Sequence, residues 1–221
     1  MAILDISDKL FEAVKAGRIW DVEKLLEKGA DPNVIKDNMS PLRLAVALGY
    51  PNIVEFLVNK GAKVNEVYEQ GQTVLMKAVT NGKIETTRFL LANNAEPNAR
   101  DAKGWTPLIY ACAGGHKDTL SFLIYYGADL NSQDNQGWTA LMHAVSRNFV
   151  EVAEILLNRG ANYNITNNEG QTALEIAELK RNLECAKLIR NFIIKEEEKK
   201  KSEESNLALL KELFELENLN S

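Results

Sequence analysis

The sequence predicts an all-α fold: a solenoid of stacked helix-turn-helix units joined by β-hairpin-like loops, followed by an amphipathic helix at the C-terminus. Three observations predict it. Glycine returns at 71, 104, 137 and 170, a spacing of 33 residues. Two heptapeptides in that register, GWTPLIY at 104–110 and GWTALMH at 137–143, are nearly alike. Leucine recurs at 10, 42, 75, 108, 141 and 174, and alanine follows each three residues later, at 13, 45, 78, 111, 144 and 177. A fixed period of this size marks a stacked architecture, because no single unit can bury its apolar stripe without a neighbour.

Each unit justifies its elements in turn. Ser40, Thr73, Thr106, Thr139 and Thr172 open the first helix, where a hydroxyl caps free backbone N–H groups. Pro41 and Pro107 follow in the first turn, where a missing N–H costs nothing. Leucine and alanine three apart then form a narrow stripe, the small alanine allowing a neighbour to approach closely. A second helix ends in paired aliphatics, Leu25-Leu26, Leu90-Leu91 and Leu156-Leu157. Gly29, Gly61, Gly127 and Gly160 stop it by taking up the left-handed conformation, and Asn94, the next most tolerant residue, stands in once.

These segments resemble ankyrin repeats. The motifs are SPLRLAVALGYPNIVEFLVNKGAKVN (40–65), TVLMKAVTNGKIETTRFLLANNAEPN (73–98), TPLIYACAGGHKDTLSFLIYYGADLN (106–131) and TALMHAVSRNFVEVAEILLNRGANYN (139–164). Degenerate units at 8–33 and 172–193 complete six. The resemblance implies repeats at about 8–37, 38–70, 71–103, 104–136, 137–169 and 170–194, in a domain spanning 1–194. It also implies a curved stack with hairpin tips and first helices on the concave side. One departure stands out. Where the family usually has histidine after Pro-Leu, this chain has Arg43, Met76, Ile109, Met142 and Glu175, so the stack is expected to rely more on apolar contact.

Composition narrows the function classes. A hydrophobic share of 45% with 26% charged residues describes a globular protein. No apolar run approaches the ~18–20 residues a membrane helix needs, so no membrane role is expected. A formal net charge of -5 argues against nucleic acid as a partner. The N-terminal stretch MAILDISDKLFEAV lacks the marks of a secretory signal, and only two cysteines occur. A reducing, cytoplasmic setting is the expectation, with export by a signal-independent route left open.

Chemistry finds little purchase. Cys112 shares its register position with Val14, Val46, Val79 and Val145, and Cys185 aligns with Ile53 and Val152, so both read as buried thiols. His116 falls at a variable position opening a second helix; His143 aligns with Leu44, Lys77, Tyr110 and Ile176 on a flank of the first. Two separated histidines and two internal cysteines make no metal site, and neither a cofactor nor a catalytic residue is expected.

Trp105 and Trp138 fall between hairpin glycine and capping threonine, where Gln72 and Gln171 stand in adjacent units. Two readings of each are open. Either the indole stacks on the next hairpin, or the pair forms an exposed platform of the kind that dominates interface affinity. The resemblance places Tyr68, Arg100, Lys103, Gln133 and Gln136 on hairpins, and Asn81, Ser146 and Arg147 at first-helix ends. With Tyr110 and His143 they make a mixed aromatic, amide and charged surface that suits a protein or peptide partner.

After Ile194 the pattern changes to KEEEKKKSEE and then SNLALLKELFELENLNS, so 195–221 is expected to be a charged linker and an amphipathic helix. Its stripe is Leu207, Leu210, Leu213 and Phe214. A helix of this length is marginal alone, and folding back as a lid over the last unit is the expected solution. Homo-oligomerisation through this helix and docking on another protein are the alternatives. The function expected of the whole is that of a non-catalytic protein–protein interaction module.

Overall fold

The computed structural model describes residues 5–219, and for 208–219 the backbone alone. Among the described residues twelve α-helices run in pairs: α1 (Ile6–Lys15) and α2 (Ile19–Glu27), α3 (Pro41–Leu48) and α4 (Pro51–Asn59), α5 (Val74–Thr80) and α6 (Ile84–Ala92), α7 (Pro107–Gly114) and α8 (Lys117–Tyr125), α9 (Ala140–Ser146) and α10 (Val150–Asn158), α11 (Ala173–Leu179) and α12 (Leu183–Leu219). First helices pack on first helices and second helices on second, each touching its own partner and the pairs on either side. That makes two helical layers in one stack. No strand occurs among the described residues; isolated bridges such as Val67 with Thr73 and Gln133 with Thr139 mark the hairpins.

The capping residues do what their chemistry dictates. The hydroxyls of Ser40, Thr73, Thr106, Thr139 and Thr172 each accept the N–H three residues on. Pro41 and Pro107 open α3 and α7. At two units the departure from the family pattern acquires a local role. The Met76 sulfur accepts the Thr73 N–H at 3.3 Å, and the Met142 sulfur accepts that of Thr139 at 3.5 Å. Asn94 holds φ 65°, matching the glycines that occupy its register in other units.

The leucine and alanine series form the core. Leu10, Leu42, Leu75, Leu108 and Leu141 are sealed, as are Ala13, Ala45, Ala78, Ala111, Ala144 and Ala177. Burial of each leucine side chain contributes about 2 kcal/mol, and it is realised only because the neighbouring unit covers it. Cys112 and Cys185 lie in the same core as free thiols.

Apolar contact is not the only link between units. Asn33 donates to the Gly61 carbonyl and accepts from Lys63 N; Asn65 does the same with Asn94 and Glu96, and Asn98 with Gly127 and Asp129. Asn131 accepts from Asn162 N at 2.8 Å. The stack therefore relies on apolar contact less than the missing histidines led us to expect, because an asparagine rung supplies the polar bridge between units. Hairpins are stitched too, Asn135 N donating to the Lys103 carbonyl and Asn168 N to that of Gln136, both at 3.0 Å.

At the far end the structure departs from expectation. The segment expected as a charged linker is helical, and α12 is one continuous helix of 37 residues. A helix without a break contains no turn to bring its end back over its own base, so the expected lid is not formed. Phe192 packs edge-on against Tyr163, with ring centroids 6.0 Å apart, while Leu179, Leu183 and Ile194 stay exposed.

Candidate interaction face

The hairpins that lead into units four, five and six fold around one carboxylate or amide each. Asp101, Asp134 and Asn167 recur at a spacing of 33, and each uses one side-chain oxygen to accept two backbone N–H groups of its own turn. For Asp101 these are Lys103 and Trp105; for Asp134, Gln136 and Trp138. The residue that opens each hairpin thereby fixes the backbone of the residue four positions later, Trp105, Trp138 or Gln171.

The second oxygen reaches into the first helix. Asp101 Oδ2 accepts the Tyr110 hydroxyl at 2.8 Å, and Asp134 Oδ2 lies 2.9 Å from His143 Nε2. Tyr110 and His143 share one register position, so the same hairpin-to-helix strut is built twice with different aromatic partners. The Gln72 amide also donates to the Tyr110 hydroxyl, at 3.0 Å. Burial and the Asp101 contact push the Tyr110 phenol up to about 12, leaving it protonated as a donor.

Trp105 reaches into the next unit, whereas the ring contact of Trp138 is within its own. Trp105 stands edge-on to Tyr110 of its own unit, with centroids at 5.0 Å, and to His143 of the next at 4.7 Å. Trp138 meets the same imidazole, tilted, with centroids 5.2 Å apart. Tyr110, Trp105, His143 and Trp138 form a continuous row of rings. Neither indole is sealed: both are half-buried, as is Tyr110. The two readings of the tryptophans are therefore not exclusive, since one face packs and another is open.

His143 is corrected in role. It was expected on the surface with the other contact residues, but it is 5% exposed, and Asp134 beside it is 6% exposed. The carboxylate holds the imidazole inward, and the indoles flank it. Burial lowers the His143 pKa, outweighing the opposite pull of Asp134, so the ring is neutral with Nε2–H donating to the carboxylate. It packs against both indoles, and its Nε2 is taken up by Asp134.

The other expected contact residues divide by place. Arg100, Lys103, Gln136, Asn81 and Arg147 are exposed. Gln133 is half-buried, its amide donating to the carbonyls of Gly137 and Thr166. Ser146 gives its hydroxyl to the His143 carbonyl at 2.9 Å. Tyr68 lies apart from the row of rings, with its hydroxyl on the Arg43 carbonyl and the Arg43 guanidinium 4.5 Å above its ring. Leu207 is exposed on α12. The side chains of Leu210, Leu213 and Phe214 lie outside the described residues.

As chemistry the site is quiet. The His143 ring is committed to Asp134, and the nearby Ser146 hydroxyl serves the backbone instead. Burial pushes the Cys112 thiol well above its ordinary value, holding it in the unreactive protonated form. Among the described residues no group of three or more His, Cys, Asp or Glu could hold a metal ion. None of the described helices is long and apolar enough to cross a membrane.

Comparison with known proteins follows the same lines. A family described as "Ankyrin repeats (3 copies)" matches residues 10–101, 42–134, 94–167 and 127–200 in overlapping windows. The chain is 45% identical over 74 residues to "ANK repeat-containing protein nipk-1" of Caenorhabditis elegans, covering 32% of this chain and 12% of that protein. It spans between 7% and 24% of the lengths of the curated relatives it matches, two of which are named as a phosphodiesterase and a ribonuclease. The solved ankyrin repeat protein EF0377 superposes with a TM-score of 0.79 at 24% identity, over 85% of this chain and 98% of that one. The ankyrin repeat domain of Bcl-3, titled a unique member of the IkappaB protein family, gives 0.75 at 29% identity over 84% of each.

Proposed function

Because this chain belongs to the ankyrin repeat family, we propose that it is a non-catalytic protein-interaction module that binds a protein or peptide through its hairpins and first helices. One observation carries the reading. The row Tyr110, Trp105, His143 and Trp138 is anchored from below by Asp101 and Asp134 and left half-open above. Indoles packed against neighbouring rings, on hairpins tied by their backbone N–H groups, lose little freedom on binding, so a partner meets a surface already in shape. Arg100, Lys103, Gln136, Asn81 and Arg147, all exposed, would serve as a polar rim, where contacts set register more than affinity.

The relatives named as enzymes share only 73 to 75 residues with this chain, 7% to 10% of their own length, so their chemistry gives no support to a catalytic reading. Two free, buried cysteines suit a reducing, cytoplasmic setting. The test is capture of proteins on the immobilised full chain, compared with the Trp105→Ala/Trp138→Ala variant. Partners retained by the first and lost by the second support the reading. A set retained equally by both removes the aromatic row as the binding face.

A second reading rests on α12. Beyond Glu196 its described side chains are all exposed, Leu207 to 54%, and a helix standing clear of its stack is marginal in water without something to pack on. Pairing of two such helices would make this chain a self-assembling structural protein, and sedimentation over a range of concentrations distinguishes that from a monomeric binder.

A further inference from the structure

The carboxylates nearest the row of rings are turned inward. Both oxygens of Asp101 are engaged by Lys103 N, Trp105 N and the Tyr110 hydroxyl, and both of Asp134 by Gln136 N, Trp138 N and His143. The cations around them are not matched in the same way. Lys77 occupies on α5 the register position that Tyr110 holds on α7. Arg100 lies against Gly104, its Nη2 2.7 Å from where a Cβ would stand. Lys103 sits between Asp101 and Trp105 in the hairpin, and Arg147 Nη1 is 3.4 Å from the His143 carbonyl.

Among the described residues none of these four cations makes an ion pair, whereas Arg88 and Lys117 on the second helices are paired with Glu85 and Glu151. A chain with a net charge of -5 thus carries a local excess of positive charge on the face where its half-open rings lie. Glu69 on the preceding hairpin and Glu169 on the following one bracket that excess and confine it to the centre of the stack.

We infer that this face takes an acidic peptide segment, with Asp and Glu side chains flanking an apolar or aromatic residue that rests on Trp105 and Trp138. The inference builds on the interaction reading above and adds the chemistry of the partner. Each exposed ion pair contributes little, so selection comes from several cations acting on one short segment, through steering and rejection of basic partners. A nucleic-acid backbone fits less well, because it would want a continuous basic stripe and here meets Glu69 and Glu169 at either side.

The test is selection of phage-displayed random peptides on the immobilised full chain, on Lys103→Glu/Arg147→Glu and on Trp105→Ala/Trp138→Ala. Both charge reversals are at exposed residues, and circular dichroism checks that the helices persist. The wild type is expected to enrich acidic peptides whose binding weakens with added salt. The charge-reversed chain should bind those peptides roughly tenfold more weakly and enrich neutral or basic ones instead. Enriched peptides with no acidic excess, or the same pool on the charge-reversed chain, overturn the acidic partner and leave the interaction face standing. Displacement of the peptides by mixed-sequence single-stranded RNA overturns it as well, since any polyanion would then suffice. If the wild type enriches nothing, or the tryptophan variant enriches equally, the interaction face itself falls and the acidic partner with it.

Discussion

His143 Nε2 lies 2.9 Å from Asp134 Oδ2, a hairpin carboxylate and a first-helix imidazole joined beneath two indoles. The pair resembles a fragment of a catalytic site, but its burial and its neighbours give it a different task. It holds the hairpin to the helix and so fixes where Trp138 and Trp105 stand.

That arrangement makes stability depend on pH in a defined direction. Burial lowers the His143 pKa below its ordinary 6.5, so the unfolded chain takes up its proton at higher pH than the folded chain. Just below pH 6.5 the unfolded state therefore binds more protons, and stability falls on acidification. The contribution is complete above the unfolded value and is lost as pH drops toward the folded one. The melting temperature of the wild type should fall more steeply between about pH 7 and about pH 5.5 than that of His143→Phe. Equal slopes would show that the imidazole titrates alike in both states. Asp134→Ala, which strands two backbone N–H groups and the imidazole, should cost about 2–3 kcal/mol in urea denaturation.

Gly137 and Gly170 test the hairpin geometry against a built-in control. Their φ angles are 76° and 75°, so alanine meets the same backbone strain at either place. A Cβ at Gly137 would stand 2.7 Å from Asn168 N, while one at Gly170 meets nothing within 4 Å. Gly170→Ala should cost about 1 kcal/mol and Gly137→Ala about 2–3 kcal/mol, read from denaturation midpoints. Equal costs would mean that adjacent hairpins do not approach as closely as described.

The asparagine rungs predict coupling between units. Asn98→Ala removes a bond to the Gly127 carbonyl and one from Asp129 N, and should lower stability by about 1–2 kcal/mol. Hydrogen exchange of the amides in α8 should rise relative to those in α4 if the lost rung loosens the downstream unit.

Removal of residues 208–221 is expected to leave the melting of the stack unchanged, because the continuous α12 carries 208–219 away from the last unit. A fall of more than about 1 kcal/mol would show that they brace it after all. Loss of concentration-dependent sedimentation in the same variant would favour the self-assembling reading.

Most of the fold was legible in the sequence because period reports stacking directly. The Leu–Ala series identified the core, and the capping series marked where five of the first helices begin. The site was less legible. Asp101, Asp134 and Asn167 stood in plain register, but nothing in linear order shows that a hairpin turns its opening residue back onto a side chain nine positions later. His143 was placed on the surface for that reason: its register could be read, and the carboxylate that draws it inward could not. The contact of Trp105 with His143 depends on how far one unit is offset from the next, which only the packed stack specifies. The asparagine rungs were missed differently, for Asn65, Asn98 and Asn131 closed the quoted motifs and only their partners were unseen. The expected lid failed because KEEEKKKSEE reads as a solvated linker or a solvated helix alike, and opposite charges three and four apart favour the helix.

The most direct measurement is the dissociation constant of one selected partner peptide for three chains: wild type, Trp105→Ala/Trp138→Ala and Trp20→Ala. Trp20, 80% exposed on α2, is as accessible as any tryptophan here and lies in the other helical layer. Truncating an aromatic anchor costs about 2–4 kcal/mol of binding, so the double variant should weaken the peptide by roughly thirtyfold or more while Trp20→Ala binds as the wild type does. An unchanged constant for the double variant, with loss at Trp20→Ala, would contradict the hairpin and first-helix face as the site of recognition.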